Sequence, residues 1–113
     1  MVKTVNLGGR LIGQGHPCFI IAEAGINHNG DINLALQLVD ASVAAGADAI
    51  KFQTFRTENV MTQNAPKADY QKRSTGGSEG QFEMVKRLEL PPEAFHQLAQ
   101  YCRDQGIMFL SSP

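Results

Sequence analysis

Four polar side chains in this sequence stand where chemistry can use them. Glu23 follows the apolar run Phe19-Ile20-Ile21-Ala22, Lys51 and Gln53 alternate with apolar residues in Ala49 to Phe55 (AIKFQTF), and Ser112 closes Ile107-Met108-Phe109-Leu110-Ser111. Runs of this kind, rich in β-branched and aromatic residues, read as strands, so each polar group belongs at or near a strand tip. In parallel α/β folds ligands bind outside the carboxyl ends of the strands. A carboxylate, an ammonium, an amide and a hydroxyl gathered there make a site for a polar small molecule.

Side-chain period decides which of these groups share a face. In AIKFQTF, Ile50, Phe52 and Thr54 point one way while Lys51, Gln53 and Phe55 point the other. If helices cover the first set, the second faces a barrel interior or a cleft. An inward Lys and Gln cost free energy unless partnered, which favours a polar site. The plainer reading is a lysine with a buried stem whose ammonium reaches water at the strand tip. Lys51 is also a candidate Schiff-base amine of a class I aldolase, a reading that borohydride trapping would test.

The elements that must position these residues follow in order. Val5-Asn6-Leu7 and Leu11-Ile12 around Gly8-Gly9-Arg10 predict a short β-hairpin capping one end of the domain, with a linker to Pro17. Residues 1–17 are therefore expected to be hairpin and linker, and 18–113 the first three β/α units of a larger domain. The first long strand is expected over Cys18–Ala24. Gly25, Asn27, Asn29 and Gly30 supply turn chemistry, His28 reads as a loop residue, and Asp31 caps a helix. That helix carries Leu34, Leu38, Ala41 and Ala45 on one stripe beside Ala35, Val39 and Ser42, and Gly46 ends it. From Arg56 to Gly77 no period is evident, and a connection this long is usually functional or mobile. It carries four basic and two acidic residues, a balance that suits an anionic substrate and equally a solvated loop. Ser78-Glu79-Gly80-Gln81 has the form of a capping box opening a short helix with Phe82, Val85 and Leu88 or Glu89 down its side. Gly76-Gly77 is followed by no Lys-Ser or Lys-Thr, so a P-loop is not expected. Pro91-Pro92 starts a second helix with Phe95, Leu98, Ala99 and Cys102 on one face and Gly106 as its stop. His96 falls on its outer face, and His16 in the linker has no assigned role.

Composition sets the class. The chain has 113 residues, 42% hydrophobic and 19% charged, with a net charge of −1; this is ordinary globular material. No basic stripe with interleaved aromatics is present, so nucleic acid is not expected as a partner. No apolar run approaches the roughly 18 residues of a membrane span, and MVKTVNLGGR lacks the apolar core of a signal peptide. A cytoplasmic protein without a membrane partner is the expectation. Cys18 and Cys102 lack metal-type spacing and read as buried free thiols, one in a strand and one on a helix. The order strand, helix, strand, loop with helices, strand is that of an α/β protein, a (β/α) barrel or a doubly wound sheet. A (β/α)8 TIM barrel takes about 250 residues, so this chain is expected to be the front of a larger protein.

The motifs AEAGINHNGD (Ala22 to Asp31), KFQTF (Lys51 to Phe55) and FLSSP (Phe109 to Pro113), in that order and spacing, resemble the amino-terminal part of the N-acetylneuraminate (sialic acid) synthase family. The resemblance implies a (β/α)8 TIM barrel, of which the hairpin and strands one to three are represented. It implies the condensation of phosphoenolpyruvate with N-acetylmannosamine, or with the related acceptors of the legionaminic and pseudaminic acid synthases, in an enzyme that is a homodimer when complete. By resemblance, Glu23 lies beside the sugar and takes part in proton transfer, Lys51 meets the anionic phosphoenolpyruvate, Gln53 hydrogen-bonds substrate, and Ser112 contacts the phosphate. A divalent metal, Mn or Mg, is implied too, with its two histidine ligands beyond Pro113; His28 matches neither. An asparagine that many members carry in the loop before the second helix has no evident counterpart near Gly76 or Gly77, which leaves the acceptor sugar open. A non-catalytic remnant is the alternative from another class, and inactivity of these 113 residues alone is expected.

Overall fold

The computed structural model describes residues 3–62 and 80–113. The expected hairpin is formed by β1 (Val5–Leu7) and β2 (Arg10–Ile12), antiparallel, with Val5 opposite Ile12 and Leu7 opposite Arg10. Asn6 accepts the Gly9 N–H at 2.8 Å across the turn. A Cβ on Gly8 would lie 2.6 Å from Met108 Cε, and Arg10 Nη1 donates to Asp48 Oδ1 at 2.6 Å. These two contacts seat the hairpin against the residues that lead into the second and third long strands, so it caps their amino ends.

The first long strand is shorter than its apolar run. β3 spans Ile21–Gly25, whereas Cys18–Ala24 was the expected extent. The reason lies in Asp48: its Oδ2 accepts the Ile20 N–H at 2.8 Å, while the Ile20 carbonyl accepts from the Asp48 and Ala49 amides. The lead-in is thus tied to a side chain before the ladder begins. Cys18 lies outside the strand and is exposed, contrary to expectation, while Cys102 is buried; both thiols are free.

Asp31 caps α1 (Ile32–Ala44) by accepting the Asn33 N–H at 2.8 Å, and Gly46 turns out of it with φ +79. The stripe that faces the sheet is Ala35, Val39 and Ser42, not the adjacent one headed by Leu34, which remains exposed. Small side chains on that stripe let the helix lie close to β4 (Ala49–Gln53). This second strand stops two residues short of the expected Phe55. A single helical turn, α2 (Thr57–Val60), follows where no period was evident. The rest of that connection, with Ser78, Gly76 and Gly77, lies outside the described residues. The next helix, α3 (Gln81–Lys86), has Gly80 at its N-cap position and ends before Leu88 and Glu89; Ser78 and Glu79 of the expected capping box lie outside the described residues. α4 (Pro92–Gln105) runs to Gly106 at φ +77 and buries Ala94, Leu98 and Cys102, with Phe95 and Ala99 flanking them. β5 (Met108–Ser112) completes the set.

The long strands form one parallel sheet in the order β3-β4-β5. Ile50 and Phe52 on β4 are fully buried beneath Val39, Leu98 and Cys102, and Phe109 of β5 stacks on Phe52 at 5.9 Å. Burying a side chain of this size stabilises a fold by about 1.5–3 kcal/mol. Both long helices lie on this face, and Tyr101 OH donates to Asp40 Oδ1 at 2.5 Å between them. The described residues are thus an α/β unit whose sheet is covered on one side; a closed barrel is not formed within them. Among them no helix is long and apolar enough to cross a membrane.

Candidate active site

The uncovered face of the sheet carries the four residues singled out by their chemistry. In the ladder Glu23 stands opposite Lys51, and Lys51 opposite Leu110; two rungs nearer the carboxyl ends, Gln53 stands opposite Ser112. Neighbouring strands lie about 4.8 Å apart, so register alone brings these side chains together. Lys51 Nζ lies 3.0 Å from Glu23 Oε2, and the two side chains keep 38% and 52% of their exposure. Lys51 thus has both a carboxylate partner and access to water, as either reading of it allows. Gln53, with Ile26, Phe55, Val60, Val85 and Pro113, lines a cavity of about 210 Å³ above the strand tips. A larger cavity of about 720 Å³, bounded by Thr54 to Arg56, Glu89 to Pro92, Phe95 and His96, takes in none of the four residues. Side-chain chemistry, not size, decides between them.

The ladder is regular through Glu23 and irregular just past it. The register shifts between Glu23 and Gly25, so that Gly25, not Ala24, stands opposite Phe52. Bulges of this kind re-aim side chains beside active sites. Gly25 has φ +55, and a Cβ there would meet Glu23 Oε1 at 3.5 Å. Three successive turns follow, closed by Asn27 N–H to Ala24 O, Asn29 N–H to Ile26 O and Asp31 N–H to His28 O.

His28 lies on this loop as expected, but it is fully buried, which nothing in the sequence indicated. Its ring sits 6.2 Å from that of Phe52. Nδ1 accepts the Gly30 N–H at 2.9 Å, and Nε2 has no hydrogen-bond partner among the described residues. Burial pushes its pKa below the usual histidine value, so the ring is held neutral with the lone pair on Nδ1 and the proton on Nε2. Gly30 in turn abuts the Arg87 carbonyl, which fixes the loop against the segment after α3.

A second polar cluster also has no periodic signal in the sequence. Buried Thr57 donates to Glu89 Oε2 from its amide at 3.2 Å and from Oγ1 at 2.6 Å. Lys86 Nζ bridges Glu89 at 3.0 Å and Glu58 at 2.5 Å. Burial pushes the Glu89 carboxyl up, but the hydrogen bonds from Thr57 and Lys86 together bring it below its ordinary value. The same contacts, Glu58 foremost, raise Lys86. This cluster joins α2 to the end of α3 behind Phe55, and it positions the turn after Gln53. His96 is exposed, as its helix face required.

These residues can bind an anion, orient a polar substrate and carry a proton. Among the described residues no three His, Cys, Asp or Glu side chains come together as a metal-binding group.

Comparison with known proteins gives the same direction. The model of the NeuB family matches residues 38–113. The N,N'-diacetyllegionaminic acid synthase of Legionella pneumophila is 47% identical over 100 residues, covering 88% of this chain and 28% of that protein. The N-acetylneuraminate-9-phosphate synthase of Homo sapiens is 36% identical over 105 residues, covering 92% and 29%. A crystal structure of N-acetylneuraminic acid synthetase from Leptospira borgpetersenii, in complex with citrate, superimposes with a TM-score of 0.79 at 35% identity over 100% of this chain and 35% of that one. The chain spans less than a third of the length of these curated relatives. With a family model that takes in two thirds of its residues and the three motifs in place along its strands, the chain belongs to the NeuB family.

Proposed function

We propose that this chain is the amino-terminal part of a phosphoenolpyruvate-dependent synthase that joins the enol carbon of phosphoenolpyruvate to the aldehyde carbon of N-acetylmannosamine, giving sialic acid and inorganic phosphate. The sheet is then the first part of a (β/α)8 barrel, with Glu23, Lys51, Gln53 and Ser112 on its inner wall. The observation that carries the reading is the pairing of Glu23 with Lys51 at 3.0 Å on the open face of a parallel sheet in a NeuB chain.

The chemistry asks for cationic groups at the phosphate and carboxylate of the enol phosphate, and for a group that removes a proton from water as water adds to the developing oxocarbenium. Lys51 supplies a cation, and a charge-assisted hydrogen bond from an ammonium to such an anion is among the stronger ones a site can make. Glu23, beside it, serves the proton. Gln53 and Ser112, two rungs above, hydrogen-bond substrate, the hydroxyl towards phosphate. In the complete enzyme a divalent metal, Mn or Mg, would polarise the aldehyde. The described residues do not form its site, so the steps assigned to this chain run through its own side chains alone.

A second reading of the acceptor has an observation in its favour. The relatives at 47% and 46% identity are N,N'-diacetyllegionaminic acid synthases, against 37% and 36% for the N-acetylneuraminate-9-phosphate synthases. An acceptor bearing two acetamido groups therefore stands beside N-acetylmannosamine. Phosphate release by the complete protein, measured with phosphoenolpyruvate, manganese and each acceptor in turn, distinguishes them. Release that depends on neither sugar overturns the synthase reading, and a borohydride-trapped adduct on Lys51 would replace it with an aldolase.

A further inference from the structure

The buried imidazole of His28 belongs to no step of that reaction, yet it stands directly behind the group that carries the proton. From Glu23 the chain passes through the bulge at Ala24 and Gly25, closes a turn from Asn27 N–H to Ala24 O at 3.0 Å, and then turns His28 inward against Phe52. Phe52 is the residue opposite Gly25 in the ladder. The ring thus packs on the helix side of the same rung at which the bulge occurs, while the Glu23 carboxylate emerges on the other side. Nothing else holds that carboxylate in place: it is half exposed, and Lys51 is the one partner recorded for it among the described residues. The far end of the loop is held as firmly, because His28 Nδ1 takes the Gly30 N–H and Gly30 rests on the Arg87 backbone.

We propose that His28 is a positioning residue: wedged against Phe52 and bonded through Nδ1 to Gly30, it fixes the turn that begins at Gly25, the residue against which the Glu23 carboxylate lies while it meets Lys51. It touches no substrate, and its effect passes through Glu23. The inference rests on the proposed synthase reading for its kinetic consequence, but not for its geometric one. Two features of the ring are used, its bulk against Phe52 and the acceptor at Nδ1. Substitutions separate them. His28→Phe keeps the bulk and removes the acceptor; His28→Asn places an amide oxygen close to where Nδ1 lies and keeps the bond to Gly30.

The test uses the complete protein. In steady-state kinetics with each substrate varied, His28→Phe is expected to lower kcat at least tenfold with both KM values within about threefold, and His28→Asn to recover most of that loss. In a Glu23→Gln background the same His28→Phe change should have little further effect, because a residue that acts through Glu23 has nothing left to position. An equal proportional loss in both backgrounds, or a rise in KM with kcat unchanged, overturns the proposal. A crystal structure of the His28→Phe protein reads the geometry without any assay: the Glu23 to Lys51 contact should open beyond hydrogen-bonding distance, and its survival at 3.0 Å overturns the proposal even if the synthase reading holds. Conversely, an opened contact in a protein that releases no phosphate sustains the positioning role and removes only the reaction.

Discussion

Glu23 and Lys51 face each other half exposed to solvent, which separates what they contribute to stability from what they contribute to function. A pair this accessible stabilises the fold by no more than about 1 kcal/mol. Lys51→Ala should therefore leave the melting temperature of the complete protein almost unchanged. It should lower kcat/KM for phosphoenolpyruvate by roughly 10- to 150-fold, the value of a hydrogen bond to a charged group, while the KM for the amino sugar stays within a few fold. Steady-state kinetics with each substrate varied is the check, and an unchanged KM and kcat with phosphoenolpyruvate would remove Lys51 from the role. Burial lowers the pKa of His28, and the sign of its pH effect follows. The unfolded chain takes up a proton near pH 6.5 while the folded chain does not, so the contribution of His28 is complete above about pH 6.5 and is lost as pH falls towards the lowered folded value. Denaturant titrations between pH 7.5 and 5 should show this loss, and His28→Asn should reduce the slope. The two kinds of residue differ in how they could be read from the chain. Glu23, Lys51, Gln53 and Ser112 were legible because a polar group interrupting an apolar alternation is itself the signal. His28 was not, since an imidazole in a turn gives no periodicity and its burial depends on Phe52, twenty-four positions away.

Among the elements, the hairpin, both long helices and all three long strands followed from glycine placement and period, and the differences lie at their ends. β3 starts late because Asp48 takes up the Ile20 amide, and the buried stripe of α1 is the one with small side chains. Both depend on what the element meets, which a local pattern does not encode. The loop between β3 and α1 carries the strictest demand. Gly30 has φ +74, and a Cβ there would stand 2.2 Å from the Arg87 carbonyl oxygen, a backbone atom that cannot swing away. Gly30→Ala should cost more than about 2 kcal/mol, from the left-handed conformation and the displacement together, read as a lowered denaturation midpoint of the complete protein. The helices and strands also fix the thiols. Burial raises Cys102 to about 11, whereas Cys18 is exposed ahead of β3. A thiol reagent at neutral pH should modify Cys18 within minutes and Cys102 only after denaturant is added; equal rates would contradict the packing of α4.

At the scale of the whole sheet, the described residues cover one face and leave the other uncovered. β3 and β5 each pair with β4 alone among the described strands, so each presents an unpaired edge, and Ile20 and Ile21 keep 51% and 46% of their exposure. Each such half-exposed side chain forgoes about 1 kcal/mol, roughly half the value of full burial, set against the 5–15 kcal/mol that a domain usually possesses. Expressed by themselves, these 113 residues are expected to self-associate through the open edges and to release no phosphate from phosphoenolpyruvate. Sedimentation with thermal circular dichroism and a coupled phosphate assay would check both, and a cooperative melt from a monodisperse monomer would refute the first. The contacts that run from Glu58 through Lys86 to Glu89 and Thr57 have another consequence at this scale. They tie residues 57 and 58 to residues 86 and 89, on either side of residues 63–79. Because both ends are anchored independently of what joins them, and doubling a loop's length costs only about 0.6 kcal/mol, lengthening the connection by a few residues should leave the denaturation midpoint almost unchanged.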